Sequence, residues 1–183
     1  RGGGHAPQGA GGPRLIRVRR GELAEAGTEC ILRPVRADGA AVTGAARRLE
    51  AAGGDPVSLA RGPSDEAPLG SALLTPGGGL AAAFVVHVVV QTLDEPPGPA
   101  SVRRGLVNAL RRAADFGIAS LALPPLGSGA GSLAGEETAA LMVEVLRRHL
   151  EAGAPPREFE IVVESEYDEA VFRRLTADGG VRP

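Results

Sequence analysis

Apolar residues along this chain form two kinds of pattern, short continuous runs and longer stretches at helical spacing. The clearest continuous run covers residues 84–90, and its lack of alternation predicts a strand covered on both faces. Apolar positions three and four residues apart predict helices over residues 101–116 and 134–152. Strands that alternate with crossover helices predict the fold class, a three-layer α/β/α sandwich with a central mixed, mostly parallel sheet.

The same patterns predict the remaining elements. Pro34 lies within the second predicted strand, where its missing N–H is expected to limit ladder hydrogen bonding. Further strands are expected near residues 15–18, 30–35, 71–75, 118–123 and 159–163, and helices over residues 40–52 and 168–175.

The length of 183 residues predicts one domain. Residues 1–13, rich in Gly and Pro, are predicted to be a flexible linker or cloning remnant, residues 14–176 the domain, and residues 177–183 a tail. The chain starts with Arg1 rather than Met, so a domain cut from a longer protein is kept as one of two interpretations.

Composition limits the partners that this chain is expected to have. All 20 basic residues are Arg and the net charge is −2, so no overall basic field attracts nucleic acid or an anionic membrane. The longest apolar stretch, residues 80–90, is too short to cross about 30 Å of hydrocarbon. A single cysteine, Cys30, excludes an internal disulfide and a cysteine-based zinc site. We therefore expect a cytoplasmic protein without cofactor, metal, nucleic acid or membrane; its oligomeric state stays open.

The candidate chemistry lies in a glycine-rich loop between a predicted strand and a helix. Glycines let backbone N–H groups turn toward an anion, and the helix N-terminus adds further donors and a partial positive charge. The loop therefore predicts a phosphate or diphosphate cradle at the carboxyl end of a strand, although a simple turn in an Ala/Gly-biased sequence is the alternative. Its candidate ligand-binding residues are Leu126, Gly127, Ser128, Gly129, Ala130 and Gly131.

The loop and several other segments resemble those of the macro domain, an ADP-ribose-binding module. The segments that carry the resemblance are 18–23, 29–34, 39–46, 74–77, 84–87 and 123–129, and the last, Leu-Pro-Pro-Leu-Gly-Ser-Gly, is similar to the macro-histone branch. The resemblance extends from about residue 16 to residue 175. It implies a six- or seven-stranded mixed sheet between helices, with a cleft for ADP-ribose or a related nucleotide diphosphate.

The resemblance also implies roles for single residues. Glu22, followed by Leu23, replaces the family's Asp that accepts the adenine amino group, and Ala41 and Val42 belong to a second phosphate loop that has gained two methyl groups. The resemblance assigns the loop over residues 128–131 to the diphosphate and the distal ribose. The aromatic residue that the family often has near this loop is missing from this chain. After the last strand, Glu164 stands near the usual adenine-flanking aromatic, and Tyr167 is the nearest substitute.

The family's hydrolytic pattern is absent from this sequence. Where the family has two Asn residues this chain has Arg33 and Arg36, and where the family has an acidic residue this chain has Thr43. Arginine stays protonated and threonine has no carboxylate, so neither serves as a general base and no catalytic residue is assigned. We consider two roles for the arginines: contact with ligand phosphates in the cleft, or a place on the surface beside an altered loop. Thr43 is included among the candidate ligand-binding residues.

Other reactive side chains have simpler interpretations. His87 is predicted to be a hydrogen-bonded core histidine, and Cys30 a small buried hydrophobe. His149 is predicted to act as a favourable positive charge at a helix C-terminus. The acidic residues Glu164, Glu166, Asp168 and Glu169 are predicted to form a solvated helix start rather than a catalytic carboxylate pair.

Three functions remain in view. The leading hypothesis is non-catalytic binding of ADP-ribose, free or protein-linked, or of a related nucleotide diphosphate. The second is a diverged fold without nucleotide binding that acts as a scaffold, which the altered loop and the missing aromatic residues favour. The third is a hydrolase of ADP-ribose derivatives that uses non-standard residues.

Overall fold

The computed structural model describes residues 15–53, 67–127 and 135–177. A short 3-10 helix, Leu23–Glu25, follows the first strand. The strands are β1 Leu15–Arg20, β2 Cys30–Arg36, β3 Ala72–Pro76, β4 Phe84–Gln91, β5 Ser120–Leu123 and β6 Glu158–Val163. The helices are α1 Gly44–Gly53, α2 Pro99–Asp115, α3 Gly135–Ala152 and α4 Glu166–Ala177.

The six strands form one mixed sheet in the order β1-β6-β5-β2-β4-β3. Every neighbouring pair is parallel except β3 with β4, which is antiparallel. The carboxyl ends of β1, β2, β4, β5 and β6 therefore share one edge of the sheet. The predicted α/β fold class is confirmed.

The two faces of the sheet are covered by different helices. Val86 and Val88 of β4 pack in the larger apolar cluster, to which α2, α3 and α4 contribute. Val85, on the opposite face, packs with Leu49 of α1 and with Leu23 of the 3-10 helix. Strand β4 is therefore covered on both faces, as its unbroken apolar run predicts.

Strand β2 continues through Pro34, although that proline was expected to limit its pairing. The strand pairs with β4 through Pro34, whereas β5 pairs only with Cys30 and Ile31. The Glu29 carbonyl accepts the Phe84 N–H and the Ala37 N–H donates to the Gln91 carbonyl, so the backbone groups of both residues face β4. Because backbone groups alternate sides along a strand, the nitrogen of Pro34 faces away from β4. It lies beyond the last residue of β2 that pairs with β5. No ladder bond is lost there, and the proline is tolerated.

Helix α1 starts at Gly44, four residues after its predicted start. A turn replaces the predicted first helical turn: Arg36 N–H donates to the Ala40 carbonyl at 2.8 Å, and Ala41 forms an antiparallel bridge with Val35. Gly39 has a φ of 81°, which glycine adopts readily. This turn brings the amino end of α1 to the carboxyl edge of the sheet.

Two further predictions concern the whole chain. No helix among the described residues is long and apolar enough to span a membrane. The predicted linker over residues 1–13 and the tail beginning at residue 177 stay predictions, because residues 1–14 and 178–183 lie outside the described ranges.

Candidate functional site at the carboxyl edge of the sheet

The loops after β1, β2, β5 and β6 meet at the carboxyl edge of the sheet, where open α/β sheets bind ligands. Of the thirteen candidate ligand-binding residues, nine lie within the described ranges, and the glycine-rich residues Ser128, Gly129, Ala130 and Gly131 lie outside them. The described part of the site consists of an ion network beside β1 and β6, the start of α1, and the end of β5.

An ion network joins the loops after β1 and β6 through helix α1. Arg48 Nε donates to Glu22 Oε2 at 2.7 Å, and Arg48 Nη2 donates to Glu164. These hydrogen bonds raise the pKa of the Arg48 guanidinium above its ordinary value, and the bond to Glu22 has a larger effect than the bond to Glu164. All three side chains are about half exposed. Glu22 therefore lies at the predicted edge, but with a cationic partner that the sequence did not reveal.

Arg33 is buried beneath the turn that precedes α1. Its side chain is 1% exposed, so the interpretation of Arg33 as a surface residue is wrong. Its guanidinium donates to Glu50 Oε2 at 2.6 Å and to the Gly39 carbonyl at 3.4 Å. Arg33 thus ties the turn at Gly39 to helix α1. Contact between Arg33 and a ligand stays a prediction.

His87 completes the buried network and is a hydrogen-bonded core histidine, as predicted. Arg33 Nη1 lies 3.2 Å from His87 Nδ1, and Thr75 Oγ1 lies 2.8 Å from His87 Nε2. Because a guanidinium only donates, Nδ1 accepts and Nε2 carries the proton toward Thr75. Burial, and next the charge of Arg33, lower the pKa of His87 to about 3, so the ring is neutral near neutral pH.

Arg36 lies at the rim of the site and pairs within its own turn. Its Nε and Nη2 atoms donate to the two carboxylate oxygens of Asp38 at 3.0 and 2.5 Å. This bidentate pair lowers the pKa of Asp38 to about 2. Asp38 also accepts the Ala40 N–H at 3.0 Å. The arrangement agrees with the interpretation of Arg36 as a partly exposed residue beside the altered loop.

Thr43 caps helix α1. Its hydroxyl accepts the Ala46 N–H at 3.1 Å, and its carbonyl accepts the Arg47 N–H at 3.1 Å. Ala41 and Val42, which precede it, are half-buried between β2 and the helix. The second predicted phosphate loop is therefore a short approach to a helix N-terminus, the kind of backbone that binds anions.

The end of β5 and the start of α3 bracket the glycine-rich loop. Leu126 is fully buried, its N–H lies 3.3 Å from Met142 Sδ of α3, and Gly127 has a φ of 72°. Leu23 is also buried in the core. The side chains of Leu23 and Leu126 therefore do not line a cleft, and only the backbone atoms of these two residues are left to contact a ligand. Tyr167, 60% exposed, lies beside Gly135 at the start of α3.

Thr138, in the first turn of α3, has a buried hydroxyl without a hydrogen-bond partner among the described residues. Its side chain is 1% exposed. A buried, unpaired hydroxyl costs about 1–3 kcal/mol of stability. The hydroxyl of Thr43, in contrast, is hydrogen-bonded at the cap of α1. The same substitution at the two threonines therefore compares an unpaired hydroxyl with a paired one.

We expect Thr138→Val and Thr43→Val to change stability in opposite directions. Removing the unpaired hydroxyl of Thr138 at constant shape should raise the free energy of unfolding by about 1 kcal/mol. Removing the cap of α1 should lower it by about 1 kcal/mol. Urea denaturation at neutral pH measures both. A loss of stability in Thr138→Val would show that its hydroxyl has a partner in the folded protein.

Two of the remaining reactive features, Cys30 and the acidic start of α4, have structural roles. Cys30 is buried as predicted, and burial raises the pKa of its thiol to about 12, far from a reactive thiolate. The acidic start of α4 is exposed and capped by Ser165, whose hydroxyl accepts the Asp168 N–H at 3.0 Å. Glu164 and Glu166 there pair with arginines rather than with each other.

The surroundings of His149 disfavour the positive charge predicted for it. Its Nε2 lies 3.1 Å from the Pro156 carbonyl, and its ring packs edge-on against Phe159. Partial burial lowers the pKa of His149 and so disfavours the charged ring at the end of α3. Among the described residues, no group of three or more His, Cys, Asp or Glu side chains is placed to hold a metal.

These features define an α/β domain with a helix N-terminus and an acidic side chain at the carboxyl edge of its sheet. The chain belongs to the macro domain family, whose family model matches residues 33–142. An uncharacterized protein of Aeropyrum pernix is 32% identical over 94% of this chain and 93% of its own length. One from Aquifex aeolicus is 30% identical over 91% of this chain and 99% of its own length.

A third relative is longer than this chain. An uncharacterized protein of Mycobacterium bovis is 33% identical over 75% of this chain, but the match spans only 40% of that protein. This chain therefore corresponds to less than half of the mycobacterial relative.

Solved structures confirm the fold. The Oceanobacillus iheyensis macrodomain with ADP has a TM-score of 0.78 at 19% identity, covering 88% of this chain and 89% of that chain. The Trypanosoma brucei macrodomain in complex with ADP has a TM-score of 0.79 at 17% identity, covering 89% of this chain and 69% of that chain.

Proposed function

We propose that this domain binds ADP-ribose, or a closely related nucleoside diphosphate, without catalysing its conversion. The proposal rests on one arrangement: Glu22, which Arg48 joins to α1, and the capped amino end of that helix lie at the carboxyl edge of the sheet in a chain of the macro domain family. A carboxylate accepts hydrogen bonds from a base, and helix N-terminal N–H groups bind phosphate. Solved relatives of the same fold hold ADP or ADP-ribose.

Binding without catalysis is supported by the roles of the three residues at the family's catalytic positions. Arg33 bonds Glu50 in the interior, Arg36 bonds Asp38, and Thr43 caps α1. Neither a guanidinium nor a capping hydroxyl activates water by accepting its proton. A protein-linked ADP-ribose is the partner we propose beyond the free nucleotide, with the cytoplasm as its location.

Titration calorimetry with ADP-ribose tests the proposal. We expect saturable binding by the wild type, and its loss in Gly129→Glu, which places a carboxylate and bulk in the predicted diphosphate cradle. Gly27→Glu is the matched control, since Gly27 is exposed, has open space around its Cα, and lies before β2 at the opposite edge of the sheet.

The result also separates the alternatives. No heat and no thermal shift at millimolar ADP-ribose would overturn the proposal and favour the scaffold hypothesis. Retained affinity in Gly129→Glu would refute the predicted loop as the diphosphate site. Turnover of O-acetyl-ADP-ribose or of protein-linked ADP-ribose by the wild type would favour the hydrolase hypothesis.

A further inference from the structure

Glu22, Arg48 and Glu164 form a three-residue bridge across the base end of the proposed site. Glu22 follows β1, Arg48 is on α1, and Glu164 follows β6, so the bridge joins three elements distant in sequence. Arg48 bonds the two carboxylates with different nitrogens, Nε toward Glu22 and Nη2 toward Glu164. A guanidinium suits this task because its donors are fixed in one plane.

The bridge restrains a side chain that is otherwise free to move. Glutamate has one more rotatable bond than aspartate, and a half-exposed glutamate loses rotamer freedom when it is fixed on a ligand. Arg48 holds Glu22 through Oε2. Oε1 makes no hydrogen bond within the part of the chain that the structure describes, so one acceptor oxygen is held in place and still available.

We propose that Arg48 is a positioning residue that orients Glu22 toward an exocyclic amine on the base of the bound nucleotide, and so sets the preference for an amine-bearing base. The inference rests on the proposed function. A fixed carboxylate oxygen accepts a hydrogen bond from the adenine amine, but it faces an oxygen acceptor when hypoxanthine replaces adenine. A carboxylate that is free to rotate discriminates less, because it turns away from the oxygen at little cost.

The test compares ADP-ribose with inosine diphosphate ribose, which differ at this position of the base. By calorimetry we expect the wild type to prefer ADP-ribose by about tenfold or more, and Arg48→Met to lower that ratio to about threefold or less, through weaker ADP-ribose binding. Arg48→Lys should be intermediate, because a single ammonium does not span both carboxylates in the same fixed plane.

Arg47→Met is the matched control. Arg47 is the exposed neighbour of Arg48 on α1 and makes no ion pair among the residues the structure describes. Its substitution should leave the ratio unchanged. The melting temperature of Arg48→Met should stay within a few degrees of the wild type, because exposed ion pairs add little stability.

Each outcome decides between distinct explanations. An unchanged ratio in Arg48→Met overturns the inference while the proposed function stands. Tighter ADP-ribose binding in Arg48→Met also overturns it, since Arg48 would then compete with the base for Glu22. If the wild type binds neither nucleotide, the proposed function itself fails, and the inference fails with it.

Discussion

Arg33→Met is expected to lower the free energy of unfolding by about 3–5 kcal/mol, because it removes a buried cation that pairs with a partly buried carboxylate. In the folded protein the Arg33 guanidinium bonds Glu50 at 2.6 Å, and also contacts His87 and the Gly39 carbonyl. The variant removes all three contacts at once. Urea denaturation at low temperature measures the loss, and Glu50→Gln, which keeps the shape of the side chain, provides a milder change in the same network.

A double-mutant cycle separates the ion pair from simple packing. We expect the combined variant Arg33→Met with Glu50→Leu to be less destabilised than the sum of the single changes, since removing both charges leaves neither one unpaired. Arg148→Met is the exposed control, because its pair with Glu144 lies at the surface and should contribute little to stability. A cost below about 1 kcal/mol for Arg33→Met would contradict the role of Arg33 as a structural cation.

Acid should destabilise this protein at a higher pH than its carboxylates alone would require. The pKa of His87 is lowered in the folded state to about 3, whereas an unfolded histidine titrates near its ordinary value of about 6.5. The folded state therefore binds fewer protons between these two values. The stability that neutral His87 provides is complete above the unfolded pKa and is lost as the pH falls toward the folded pKa.

The measurement compares the wild type with His87→Gln, whose amide can accept from Arg33 and donate to Thr75 without titrating. Between pH 7 and pH 5 we expect the wild type to lose about 2 kcal/mol more stability than the variant, or about 1.4 kcal/mol per pH unit below the unfolded pKa. His149 shifts in the same direction but is unchanged in both proteins, so the difference isolates His87. Parallel stability curves for the two proteins would show that His87 does not resist protonation.

Neighbouring strands show why the elements could be predicted and some of the contacts could not. The apolar run of β4 predicts a strand with two covered faces because burial on both sides requires apolar residues at every position. The position of Arg33 opposite His87 follows from the register of β2 and β4, which no local pattern specifies. Glu50 reaches Arg33 only because α1 packs on that face, so the sequence singled out Arg33 but did not show that Glu50 is its partner.

The candidate site divides in the same way. The resemblance to the macro domain assigned Glu22 and the segment before α1 to the site, and the parallel strands bring the loops that contain them to the same edge of the sheet. Arg48 was not among the candidate site residues. The signal that could have identified it is its place one turn beyond the capped start of α1. His149 was assigned a charge from its position at a helix end, but partial burial of its ring lowers its pKa.

The sequence by itself determined the alternation of strands and helices, because periodic burial and turn residues act locally, and it contained the segments that resemble the macro domain. The tertiary structure decided which charges meet: Arg33 with Glu50 in the interior, and Arg48 between Glu22 and Glu164 at the edge. The physical reason is that an ion pair depends on the distance between two side chains. That distance is set by strand register and helix packing, not by the residues that flank either partner.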